Sequence, residues 1–84
     1  MPESDGPVVY LFRRPGGHVR YDDLKRLERY LRTKGYPVAG LNIEPDNEDL
    51  SVGHLIVDYT GGIRPRMNEL RPLVSRDLWM GEAE

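Results

Sequence analysis

No cysteine occurs among the 84 residues of this chain. That absence excludes a disulfide framework and any thiolate metal centre, and it fits a reducing compartment. Long hydrophobic runs are missing too. The longest, Val8–Phe12 and Leu55–Val57, fall far short of the roughly 20 residues that cross a bilayer. The opening Met-Pro-Glu-Ser-Asp-Gly-Pro has neither a basic n-region nor an apolar h-region. No secretory signal is read there, and a soluble, cytoplasmic protein with no membrane attachment is expected. Chemistry-bearing signatures are equally scarce: there is no HExxH, no Walker loop, no GxGxxG and no cluster of metal ligands. Each of those chemistries needs its residues at those spacings. A protein that is not an enzyme, with no metal and no small-molecule cofactor, is therefore expected.

What the chain does have is charge, sorted by sign. The formal net charge of −2 conceals two opposed segments. Residues 13–34 hold eight cations (Arg13, Arg14, Arg20, Lys25, Arg26, Arg29, Arg32, Lys34) against Asp22, Asp23 and Glu28, a local balance of +5. Residues 42–60 hold Glu44, Asp46, Glu48, Asp49 and Asp58 with no Lys or Arg, a local balance of −5. Surfaces divided in this way select partners by sign, unless the two segments neutralise each other.

The periodicities predict a β-α-β-β-α chain. Val8–Phe12 is β-branched and aromatic and apolar at every position, as a strand wanting cover on both faces. Pro15-Gly16-Gly17 ends it, and residues 18–20 read as a short return strand or as the approach to a helix. Over Asp22–Lys34, Leu24, Leu27 and Leu31 fall within about 60° of one another on a helical wheel. Asp22 and Asp23 suit the start of that helix, and Gly35 suits its stop. Residues 38–44 and 52–60 alternate with a period of two and pair as a hairpin across an acidic loop. Pro65 is placed at the start of a second helix carrying Met67, Leu70, Val74 and Leu78, interrupted at Pro72.

These elements give an α/β (α+β) two-layer sandwich, a three-stranded sheet with both helices on one face. Its topology resembles a ferredoxin-like split β-α-β lacking the last strand, a likeness that says little about function. Residues 8–80 form the single domain, 1–7 a flexible lead and 81–84 an acidic tail.

Two surfaces are candidate sites. If the helices pack on the Leu41, Ile43, Leu55 and Val57 side, the opposite sheet face shows Glu44, His54, Ile56 and Asp58. From the first strand it shows either Tyr10 and Phe12 with Val8, or Val9 and Leu11. Aromatic and apolar groups beside carboxylates on a flat face read as a protein-docking surface. The first strand is also a candidate sheet edge, open to pairing with a target or with a copy of itself. The leading expectation is a non-catalytic interaction module, a regulator or inhibitor docking on a larger assembly or a homodimer, with Tyr10, Phe12, Glu44, His54, Ile56 and Asp58 as its contact residues.

The alternative is nucleic-acid binding by the first helix. Arg32, Lys25, Arg29 and Arg26 fall at about 80°, 100°, 140° and 200° from Leu24, a cationic flank that Arg13, Arg14 and Arg20 would enlarge. Such a stripe suits phosphates or an acidic protein surface, and Tyr21, Tyr30 and Tyr36 are placed to stack bases or to cover the helix ends. Weaker candidates are the Thr60–Arg64 turn as an anion cradle and His18 with His54 as an acid–base pair. A strand-to-helix turn and a surface strand histidine explain them more simply. Trp79 on the second helix is either a partner anchor or, the favoured reading, a core residue beside Val74 and Leu78.

Overall fold

The computed structural model describes residues 6–83. The residues of the lead at positions 1–5, and Glu84 of the acidic tail, lie outside that range. The elements are β1 (Pro7–Arg13), α1 (Tyr21–Thr33), β2 (Val38–Pro45), β3 (Ser51–Asp58), α2 (Met67–Leu70) and β4 (Trp79–Glu82). Pro7 and Glu82 therefore extend the folded unit beyond both ends of the expected domain.

The leucines of α1 explain why the helix sits where it does. Leu24, Leu27 and Leu31 are each fully buried, so the apolar stripe is the packing face. The helix stops where Gly35 takes a φ of +96°, a conformation that costs glycine little. The Gly35 N–H then donates to the Arg32 carbonyl at 3.0 Å and the Tyr36 N–H to the Leu31 carbonyl at 3.0 Å. This is the Schellman pattern, which satisfies carbonyls that the helix leaves open.

The sheet has four strands in the order β2-β3-β1-β4, every neighbour antiparallel. Two expectations are corrected here. The sheet gains a fourth strand, and β1 lies inside it, between β3 and β4, rather than at an edge. Residues 18–20 are no return strand. The Val19 N–H donates to Ser51 Oγ at 2.9 Å, pinning this approach segment over β3.

The second helix is also much shorter than its apolar spacing predicts. α2 has four residues, Arg71–Leu73 adds one 3₁₀ turn, and Val74 is extended at φ −119° and ψ 169°. Pro72 brings no N–H to an α-helical ladder and its ring crowds the preceding turn. The chain beyond it is free to turn back along β1, and Trp79–Glu82 pairs there. Arg71 holds the turn by donating to the carbonyls of Ser75 and Arg76.

A single core fills the space between the sheet and the helical layer. It takes Tyr10 and Phe12 from β1, Leu55 and Val57 from β3, the α1 leucines, and Leu70, Val74 and Leu78 from the C-terminal third. Gly53 permits the approach of α1. A Cβ there would stand 3.1 Å from Leu24 Cδ2 and 3.2 Å from Val19 Cγ1, tighter than packed side chains accommodate without moving. Tyr10 and Tyr59 share a hydroxyl–hydroxyl bond of 2.9 Å, which satisfies two phenols inside apolar packing. Burial pushes both phenols above their ordinary pKa of 10.

Among the described residues Asp23 is the one buried carboxylate, 2% exposed. It receives the Ser75 N–H at 3.1 Å and the Ser75 hydroxyl at 2.9 Å. The side chain expected to favour the helix start by its charge thus also fastens α1 to the segment leading into β4.

Candidate functional site: the open face of the sheet

Because side chains alternate across a strand, the register fixes which residues share the face away from the helices. Three rows run across it. The first is Glu44–Val52–Arg13–Trp79, the second Asn42–His54–Leu11–Gly81, and the third Gly40–Ile56–Val9. Asp58 and Pro7 lie beyond the third row.

Two glycines on the outer strands let large neighbours lie flat over the sheet. A Cβ at Gly81 would fall 2.5 Å from Trp79 Cη2, and one at Gly40 would fall 3.2 Å from Ile56 Cδ1. The Trp79 indole therefore lies across Gly81, and the Ile56 side chain across Gly40. The result is a low apolar surface rather than a deep cleft. At the first-row end, Leu11, Arg13 and Trp79 join Pro15, Asp46 and Leu50 around a groove of about 570 Å³.

Glu44, His54, Ile56 and Asp58 stand on this face, as the alternation of their strands predicts. Tyr10 and Phe12 do not. They are 1% and 0% exposed and belong to the core, so β1 presents Val9 and Leu11 instead. The run Val8–Phe12 is apolar at both parities and carries no clue to which half turns inward. The pairing of Tyr10 with Tyr59 decides it.

Trp79 is misplaced in the opposite sense to Tyr10 and Phe12. Expected in the core on a second helix, it is 50% exposed on β4. The helix-breaking Pro72, followed by Trp-x-Gly at strand spacing, is the signal that pointed to it.

The two charged segments do not neutralise each other among the described residues. Cations of the basic segment pair within it or with the C-terminal third. Glu28 takes Lys25 at 2.8 Å and Arg32 at 3.1 Å, Asp23 takes Arg26 at 3.4 Å, Asp77 takes Arg14 at 2.9 Å, and Glu69 takes Lys34 at 3.6 Å. The close ion pair with Glu28 raises the Lys25 pKa, and the same pair is the main cause holding Glu28 below its usual value. Arg13, Arg20 and Arg29 enter no ion pair among the described residues, and neither do Glu44, Asp46, Glu48, Asp49 and Asp58. Asp58 instead accepts the Thr60 N–H and hydroxyl, at 2.9 and 2.6 Å, which lowers its pKa.

The remaining candidates separate in space. His54 is on the open face with Nδ1 unbonded, whereas His18 precedes Val19 on the helical side of β3, so the two do not form a pair. The Thr60–Arg64 segment is a tight turn: the Gly62 N–H donates to the Tyr59 carbonyl at 2.9 Å, and Arg64 pairs with Glu82 at 3.2 Å. Tyr36 stacks edge-on against Tyr59 at 4.9 Å, Tyr30 donates to Glu69, and Tyr21 is 55% exposed. Among the described residues no group of three or more His, Asp or Glu is placed to hold a metal ion, and no helix is long and apolar enough to cross a membrane.

Comparison of the chain with models of protein families, with curated proteins and with solved structures found no match.

Proposed function

We propose that this chain is a non-catalytic protein-interaction module that docks through the open face of its sheet. The observation that carries this reading is the composition of that face. Val9, Leu11, Val52 and Ile56 are only partly buried there, and Trp79 stands 50% exposed beside them. Contiguous apolar surface with a tryptophan near its rim is what a binding interface needs and what an isolated soluble domain minimises. Glu44 on β2 and Arg13 on β1 give the first row of the face one anion and one cation, and Asp58 adds an anion at its other end. Such separated charges orient an incoming partner and raise its on-rate. The β-α-β-β-α-β element order and the 2-3-1-4 strand order also support a ferredoxin-like reading of the architecture, a split β-α-β completed by β4.

Nucleic-acid binding by α1 is the weaker alternative, because Lys25 and Arg32 already share Glu28. Releasing them to phosphates would cost those pairs. A photo-crosslinking amino acid at position 56, compared with one at position 29, tests both. A protein adduct at 56 and none at 29 supports the module. A nucleic-acid adduct at 29 with nothing at 56 overturns it.

A further inference from the structure

We infer that the partner of the open face is a second copy of this chain, related by a two-fold axis parallel to the strands. The inference rests on the docking reading above and assigns its occupant.

The argument is one of charge and symmetry. A two-fold interface brings the same patch to itself, so the patch must be self-complementary. An axis along the strands turns each row over its own image in reverse order. Glu44 then faces the partner's Trp79, one strand spacing of about 4.8 Å from the partner's Arg13. By symmetry Arg13 gains the partner's Glu44. Of the three charges on this face with no ion pair within the described residues, Arg13 and Glu44 are thereby matched twice; the third, Asp58, lies beyond the rows and keeps the Thr60 N–H and hydroxyl as donors. In the third row Ile56 meets the partner's Val9, apolar on apolar.

An axis across the strands fails the same test. It sets Glu44 over the partner's Gly40, leaving that carboxylate in apolar company with no cation beside it, which is costly.

The size of the face sets the strength. Four strands about 4.8 Å apart and three rows about 6.8 Å apart cover roughly 400 Å² of plane, about half the area per partner of a standard interface. The dimer is therefore weak and concentration-dependent.

Sedimentation velocity on the full chain, from about 1 µM to about 1 mM, tests this, with circular dichroism to confirm folding of each variant. The mass is expected to move from monomer toward dimer over that range. R13E and E44R should each weaken association at least about tenfold, since each sets like charges together. The double variant R13E/E44R restores opposite signs and should return association to near the unsubstituted level. A monomer at every concentration overturns the inference, and so does a dimer that ignores the single variants or is not rescued by the double one. A monomer whose position 56 still crosslinks to a different protein in cell extract removes the second copy and leaves the docking reading standing. No adduct at 56 in either setting removes both.

Discussion

The two faces of β3 are built from the same eight residues and the same backbone pairing, yet they serve different ends. Ser51, Gly53, Leu55 and Val57 point under α1 and are buried, while Val52, His54, Ile56 and Asp58 point away and stay partly in water. The difference comes from the layer above. α1 and the C-terminal third cover one face, and among the described residues no element covers the other. Folding free energy therefore resides on the covered face, and the uncovered face is free to carry recognition.

Two neighbours on β1 separate the faces by the largest effect. Phe12→Ser removes a ring that is fully buried and leaves a hydroxyl in its place. It should cost about 4 kcal/mol or more, enough to unfold a domain of this size. Leu11→Ser, one residue away on the open face, should cost less than about 1 kcal/mol. Urea melts followed by circular dichroism read both. Equal losses would mean that the open face is structural.

A smaller effect separates two polar contacts of the helical layer. Asp23→Ala strands the Ser75 N–H and hydroxyl without their acceptor and should cost about 1–3 kcal/mol. Its loss should also speed hydrogen exchange in β4, which Asp23 steadies through Ser75. Arg26→Ala removes a half-exposed cation that lies 3.4 Å from the same carboxylate and donates to the Leu73 carbonyl at 3.2 Å, worth about 1 kcal/mol or less. Unchanged exchange in β4 after Asp23→Ala would show that the clamp does not hold that strand.

The smallest expected effect is on pH dependence. The Glu28 carboxyl lies below its ordinary value of 4.5, chiefly through the bond from Lys25, against partial burial and with help from Arg32. The folded chain thus takes up this proton at lower pH than the unfolded one. The stabilisation is present above about pH 4.5 and is lost as pH falls through the folded value. Glu28→Gln should flatten that acid limb while changing neutral stability by less than about 1 kcal/mol. An unaltered acid limb in Glu28→Gln would assign the loss to other carboxylates.

How much of this was legible beforehand depended on whether a signal was local. Leu24, Leu27 and Leu31 announce α1 because their spacing and their burial share one cause. The alternation in β2 and β3 announces the hairpin in the same way. The C-terminal third misleads for a related reason. Leu70, Val74 and Leu78 are all buried at helix-like intervals, but Val74 is extended, so the spacing reflects a shared core rather than a helix. β4 is four residues long with glycine at its third position, too short for alternation to register. The Asp23–Ser75 contact spans 52 positions, and no local pattern encodes it. The open face was half legible: Glu44, His54, Ile56 and Asp58 followed from alternation, whereas the parity of β1 and the place of Trp79 waited on pairing.

Trp79 and Tyr21 offer a direct test of the central claim, because they are similarly exposed, at 50% and 55%, on the open sheet face and on α1. Hydroxyl-radical footprinting with mass spectrometry would compare their oxidation in dilute purified protein and in intact cells. Both should be labelled in dilute solution, and Trp79 alone should become protected in the cell. Equal labelling of Trp79 in both settings, or protection that falls on Tyr21 instead, would contradict a docking role for the open face.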